Sequence, residues 1–148
     1  MADILHKIAI KSAPAETYKA LTARERLAGW WTTDTQGNFD VGGVIAFRFG
    51  TRGHVDMKVI ERNPAGRVVW QVVDGPGEWI GSKVSFDLQP DGDYTGVLFK
   101  HQGWKEPSEF MHHCSTKWAM FLMSLKSLVE TGTGAPFPND VHISSRGD

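Results

Sequence analysis

Three adjacent residues, His112, His113 and Cys114, have side chains that could bind a metal ion or act as a nucleophile. Neighbouring residues on a helix point about 100° apart, whereas helical metal sites place their ligands at positions i and i+4. Those positions hold Thr116 and Lys117, which are not metal ligands of this type. We therefore expect no metal site at this cluster.

Cys114 could instead serve as a nucleophile, provided that a nearby base takes its proton and its pKa is lowered. His101 could supply that base if the fold brings the two side chains together. A lone cysteine is more often a small buried hydrophobic residue, and a lone inward histidine is more often a hydrogen-bonded core residue. We expect no catalytic residue, and catalysis by His101 as an acid or base remains the alternative.

The element that must position these residues is a long amphipathic helix from about Ser108 to Thr131. This stretch of 24 residues contains neither proline nor glycine. Its apolar side chains recur at steps of three and four, which is the spacing of one helical face. The members of that face are Met111, Cys114, Trp118, Phe121, Leu122, Leu125, Leu128 and Val129.

Upstream of this helix the pattern is that of short strands. Residues 3–11 alternate with a period of two, and two short helices follow, the second begun by a capping box at Thr22 and Glu25. After an irregular segment at 32–42, five alternating stretches are separated by Gly, Pro, Asn and Asp turns. The pattern predicts an α+β fold in which a curved antiparallel sheet of about six strands wraps around the long helix.

Length and composition favour one ordinary globular domain. We expect it to span 1–148, with a core at about 4–131 and a surface tail at 132–148 in which Phe137 is held in place. The net charge of -1, from 16 basic and 17 acidic residues, argues against nucleic acid or an anionic membrane as a partner. No signal peptide or membrane-spanning window is visible, and the single cysteine suits a reducing cytoplasm.

Apolar side chains from the strands and the helix should converge on a space between them. We expect this space to be a cavity for a small apolar or aromatic molecule, with a filled core as the alternative. We expect no cofactor. The candidate lining residues are Phe47, Phe49, Met57, Trp70, Phe86, Phe99, His101, Met111, Cys114 and Trp118.

Several motifs resemble the SRPBCC (START-like) superfamily, whose fold is the helix-grip fold. Within it, the chain is similar to the family named for the activator of the ninety-kilodalton heat-shock protein's ATPase. The family often has Gly-Trp in the last helix, where this chain has Lys117-Trp118, and the heat-shock activators carry a further N-terminal domain. The motifs are IAIKSAPAETYKALT at 8–22, Trp30-Trp31, Val41-Gly42-Gly43, Trp70 near a strand end, and His101-Gln102-Gly103-Trp104.

The resemblance implies three possible functions. Superfamily relatives bind lipids, hormones or polyketides between sheet and helix, which implies a ligand-binding protein. A few relatives catalyse cyclisation or aromatisation, which here would use His101. The third possibility is an interaction module, either a chaperone partner or a homodimer that uses the region of Trp30 and Trp31.

Overall fold

The elements follow the predicted order of one strand, two short helices, a run of strands and a long final helix. The computed structural model describes residues 2–143. The elements are β1 (Ala2–Ile10), α1 (Pro14–Thr22), α2 (Arg24–Ala28), β2 (Asp34–Gly37), β3 (Val44–Arg48), a 3-10 turn (Gly50–Arg52), β4 (His54–Asn63), β5 (Arg67–Asp74), β6 (Lys83–Asp91), β7 (Tyr94–Trp104) and α3 (Glu109–Thr131).

All strands belong to one antiparallel sheet with the order β1-β7-β6-β5-β4-β3-β2. Strands β2 to β6 each pair with the next strand along the chain, and β1 pairs with β7 from Ala2 to Ile10. Register shifts between Asp56 and Met57 and between Val59 and Glu61 interrupt β4, and such bulges bend a strand. The predicted α+β helix-grip fold is confirmed.

Helix α3 forms where the sequence predicts it, and its ends are defined by local chemistry. The Ser108 hydroxyl accepts a hydrogen bond from the backbone N–H of Met111 at 3.2 Å, as an N-cap does. Gly132 ends the helix with a left-handed φ of 87°, which glycine adopts without strain. Within residues 2–143, no helix combines the length and the apolar character that a membrane span requires.

Two local predictions were wrong. Thr22 does not cap α2, because it lies in the last turn of α1 and its hydroxyl donates to the carbonyl oxygen of Tyr18 at 2.8 Å. Ala23 is the N-cap of α2 and makes no side-chain cap. The segment predicted as irregular contains β2, a seventh strand that pairs with β3 at the sheet edge. Four residues are too few to show a period of two.

The C-terminal segment folds back along α3 and is more than a surface tail. The backbone N–H of Phe137 donates to Trp31 O at 2.8 Å, and Thr33 N–H donates to Phe137 O at 3.2 Å. Nearby, the Ser124 hydroxyl on α3 accepts from the N–H of Ala135 at 2.7 Å. Phe137 is thus held in place, as expected. The rest of the predicted tail, 144–148, lies outside the described residues.

Candidate functional site

The centre of the space between sheet and helix is filled with side chains. The ring centroids of Phe47 and Trp70 lie 5.7 Å apart, those of Trp70 and Phe86 5.2 Å, and those of Phe86 and Phe99 5.3 Å. Contacts of this kind are ordinary aromatic core packing. Six of the ten predicted lining residues belong to this core and are not on the cavity described below: Phe47, Met57, Trp70, Phe86, Phe99 and His101.

A cavity of about 240 Å³ lies to one side of this core, beside the first half of α3. Three predicted residues line it, Phe49, Cys114 and Trp118, while Met111 is half-buried and is not on its wall. The other walls are the 3-10 turn with the start of β4, the loop before β6, and the C-terminal segment. Seven aromatic rings face the cavity: Trp31, Phe49, Trp79, Phe110, Trp118, Phe121 and Phe137.

Trp31 connects the filled core to the cavity. Its ring is parallel to that of Trp70 at 6.3 Å between centroids and lies 5.0 Å from the ring of Trp118. Trp30 and Trp31 are both buried, at 0% and 2% exposed. The two indoles are therefore not available as a contact surface, and a homodimer that uses the region around them stays a prediction.

One ion pair lies on the cavity wall. The ammonium Nζ of Lys117 is 2.6 Å from Oδ2 of Asp140 and 2.9 Å from the carbonyl oxygen of Val141. The same ammonium lies 5.3 Å above the ring of Phe121. Lys117 replaces the glycine that the resemblance predicts at this place. Sequence reasoning missed the pair because the tail shows no periodicity that would orient Asp140.

His101 is a buried, fully bonded histidine. The indole N–H of Trp118 can only donate, so Nδ1 of His101 accepts it, at 3.1 Å. The proton of the neutral ring is then on Nε2, which donates to the Ser82 hydroxyl at 2.7 Å, and Ser82 in turn donates to the carbonyl oxygen of Trp79. Burial lowers the pKa of His101 to about 3, against a smaller opposing effect of Asp3.

This arrangement counts against acid–base catalysis by His101. Both ring nitrogens are engaged within the protein, and the side chain is not on the cavity wall. A general base near neutral pH needs a pKa close to 7 and access to the substrate proton.

Cys114 faces the cavity but is poorly suited to be a nucleophile. Burial raises the pKa of its thiol to about 12, and the neighbouring Trp79 side chain opposes this only in part. The thiolate is the reactive form, so a raised pKa makes the residue inert near pH 7. The structure thus places His101 and Cys114 near the same tryptophans without making them a catalytic pair.

The two histidines that precede Cys114 lie in different surroundings. Nδ1 of His112 bonds to the Ser108 carbonyl oxygen at 2.8 Å on the exposed side of α3. The ring of His113 stacks on that of Phe110, with 6.2 Å between centroids, and lines the cavity. His6, on β1, bonds through Nε2 to the carbonyl oxygen of Ser115 at 3.1 Å.

Within residues 2–143, His54, Asp56 and Asp74 are the group whose donor atoms lie close enough to hold a metal ion. Each already has a partner. His54 Nε2 is 2.8 Å from Oδ2 of Asp74, and this bond lowers the pKa of Asp74. Arg48 donates to Asp56 at 2.6 Å. The group lies on β4 and β5 and is an ion-pair network as it stands.

The family comparison covers most of the chain. A family model described as "Activator of Hsp90 ATPase homolog 1-like protein" matches residues 11–130. No curated relative matches the chain.

Solved structures with the same fold are numerous. A protein from Colwellia psychrerythraea, described as an Aha1 dimer, is 44% identical with a TM-score of 0.84, over 90% of this chain and 100% of that one. CalU16 from Micromonospora echinospora is 21% identical with a TM-score of 0.72, over 86% of this chain and 73% of that one. MLL2253 from Mesorhizobium loti is 19% identical with a TM-score of 0.74, over 86% of this chain and 96% of that one.

CalU16 and MLL2253, at 21% and 19% identity, are similar to this chain in fold alone. The family match over residues 11–130 and the 44% identical relative agree with each other. The chain belongs to the family of Activator of Hsp90 ATPase homolog 1-like proteins, within the SRPBCC superfamily.

Proposed function

We propose that this protein binds a small apolar or aromatic molecule in the cavity beside α3, and we assign no reaction to it. The observation that carries the proposal is the cavity itself, which is about 240 Å³ in volume and has seven aromatic rings among its lining side chains. Concave apolar sites with few polar groups are the usual form of small-molecule sites. Cyclase-like chemistry through His101 is not favoured, since that side chain is buried away from the cavity.

The binding proposal can be tested with an environment-sensitive apolar dye. Folded protein should raise the dye's emission and lose part of its tryptophan fluorescence, because Trp31, Trp79 and Trp118 line the cavity. A panel of one- and two-ring aromatic molecules should then displace the dye. If neither dye nor panel associates with the folded protein, the proposal is wrong.

A cavity-filling variant makes this test specific for the site. Cys114→Phe places a ring in the cavity, whereas Met123→Phe places the same ring on the exposed face of the same helix, where Met123 is 52% exposed. We expect the first to abolish dye binding and the second to retain it. Circular dichroism shows whether each variant is folded, and overpacking at Cys114 makes that control necessary.

We also propose that the chain forms a homodimer. The support is the 44% identical Colwellia psychrerythraea relative, which is described as a dimer. Mass by light scattering over a range of protein concentrations tests this, and a monomer mass throughout would contradict it. A chaperone partner, a single domain over 1–148 and a cytoplasmic location, which the single cysteine favours, stay predictions.

A further inference from the structure

A second pocket, of about 350 Å³, adjoins the cavity. It lies between the second half of α3 and the C-terminal segment, and Met120, Met123 and Val141 are among its lining residues. Two side chains, Phe121 and Asp140, line both the cavity and this second pocket. The two spaces are therefore neighbours, and these two side chains form the partition between them.

Lys117 holds this partition in place. Its ammonium donates to Oδ2 of Asp140 at 2.6 Å and to the carbonyl oxygen of Val141 at 2.9 Å. The same ammonium lies 5.3 Å from the centroid of the Phe121 ring. One side chain of α3 thus contacts both members of the partition and ties the backbone at residue 141 to the helix.

Stability is a poor explanation for this ion pair. The side chains of Lys117 and Asp140 are 13% and 6% exposed, so both charges have lost most of their contact with water. Oδ1 of Asp140 is also buried and has no hydrogen-bond partner among residues 2–143. The desolvation cost of a buried ion pair often equals or exceeds its attraction, and an unsatisfied oxygen adds to that cost. A role in the binding site explains the pair better.

The partition limits the size of a molecule that the cavity can hold. An apolar protein cavity of about 150 Å³ holds benzene, so about 240 Å³ suits a molecule of two fused rings. A molecule of four fused rings needs space on both sides of the partition. The ion pair closes that path because it fixes the C-terminal segment against α3.

We propose that the ion pair of Lys117 and Asp140 sets the upper size of the ligand by separating the two spaces, and that breaking the pair joins them into one larger site. The inference rests on the binding function proposed above and adds the two residues that select the ligand by size.

Two fluorescent probes of different size test this limit on the unmodified protein. 2-Naphthol has two fused rings and 1-hydroxypyrene has four, and each carries one hydroxyl. Titrations followed by probe emission give both dissociation constants. We expect 2-naphthol to bind at least about tenfold more tightly, although the larger apolar surface of 1-hydroxypyrene would favour it in an unrestricted site.

Variants of the ion pair should remove the limit. Lys117→Ala and Asp140→Ala should each raise the affinity for 1-hydroxypyrene about tenfold and change that for 2-naphthol by less than about threefold. Asp140→Ala leaves no unpaired buried carboxylate, so it guards against misfolding of Lys117→Ala. Lys126→Ala is the matched control and should keep the original preference. Lys126 also contacts a carboxylate, that of Glu130, and a carbonyl oxygen, that of Ala9, but it lines neither space.

Methionine methyl NMR signals show where the larger probe lies. Met120 and Met123 line the second pocket and not the cavity. In Lys117→Ala, 1-hydroxypyrene should shift both methyl signals, whereas 2-naphthol should shift neither. Binding of 1-hydroxypyrene without these shifts would mean that the substitution only enlarged the cavity, and would contradict a joined site.

The outcomes separate this inference from the binding proposal. Equal affinities of the unmodified protein for the two probes would overturn the size limit and leave binding in place. An unchanged preference in both folded variants, or loss of 2-naphthol binding in both, would also overturn it. If neither variant folds, the two probes on the unmodified protein still decide. No binding of either probe, although the dye binds, would overturn this inference alone, and failure of the dye as well would overturn both.

Discussion

The indole N–H of Trp118 donates to Nδ1 of His101 at 3.1 Å, and this bond settles the role of the histidine. Because it occupies Nδ1, the ring must carry its proton on Nε2, where Ser82 accepts it. A histidine that looked like the candidate base is thus the middle of a buried chain of hydrogen bonds that joins α3 to the sheet.

Removing the donor should therefore destabilise the fold. Trp118→Phe leaves Nδ1 of His101 buried without a partner. Trp104→Phe is the matched control, because it removes the same ring atoms from a buried indole whose N–H has no partner among residues 2–143. We expect the first to lower the free energy of unfolding by about 1–3 kcal/mol more than the second. Urea unfolding of both variants measures the difference, and equal losses would contradict the role of the bond.

The low pKa of His101 predicts a dependence of stability on pH. Burial lowers this pKa from 6.5 to about 3, so below pH 6.5 the unfolded chain takes up a proton that the folded chain does not. The stability contributed by the neutral ring is complete above about pH 6.5 and is lost progressively as the pH falls towards 3. The slope should approach about 1.4 kcal/mol per pH unit.

Comparison with His101→Gln isolates this contribution. Most carboxyl groups titrate below about pH 4.5, so the interval from 4.5 to 6.5 reports mainly on histidines. The variant keeps every other histidine, and its free energy of unfolding should fall less steeply over this interval. If the free energies of unfolding of the two proteins fall in parallel over this pH interval, His101 does not have the lowered pKa.

The thiol of Cys114 should be unreactive in the folded protein. Its pKa is raised to about 12 by burial, so almost no thiolate forms at pH 8. We expect an aromatic disulfide reagent to modify it far more slowly than it modifies an exposed thiol. Met123→Cys in a Cys114→Ala background puts a thiol on the exposed face of the same helix and should react rapidly. Rapid modification of Cys114 itself would contradict its placement.

The position of the C-terminal segment can be tested at Gly134. A Cβ added there would lie 2.3 Å from the carbonyl oxygen of Gly29 and 3.0 Å from that of Ser124, so Gly134→Ala must displace the backbone. We expect weaker dye binding and faster proteolysis near residue 134, because Phe137 would leave the cavity wall. Gly77→Ala is the matched control, since its Cβ meets nothing within 4 Å. Unchanged dye affinity in Gly134→Ala would show that the segment does not form the site.

Much of the fold could be read from local patterns. The apolar stripe from Met111 to Val129 predicted α3 because helical periodicity repeats over about five turns. The strands followed from alternation between turn residues. Strand β2 was not predicted because its four residues are too few to show alternation. The cap at Thr22 was wrongly assigned because the Thr22 hydroxyl donates to a carbonyl oxygen within α1.

The sequence by itself determined which side chains are apolar and on which face of each element they lie, because both depend on near neighbours in the chain. Only the tertiary structure decided which of those faces are packed solid and which enclose a cavity. Phe47 and Phe49 are two residues apart on inward positions, yet one is in the filled core and the other on the cavity wall. The wall depends on contacts such as Lys117 with Asp140, 23 residues apart, which no local period encodes.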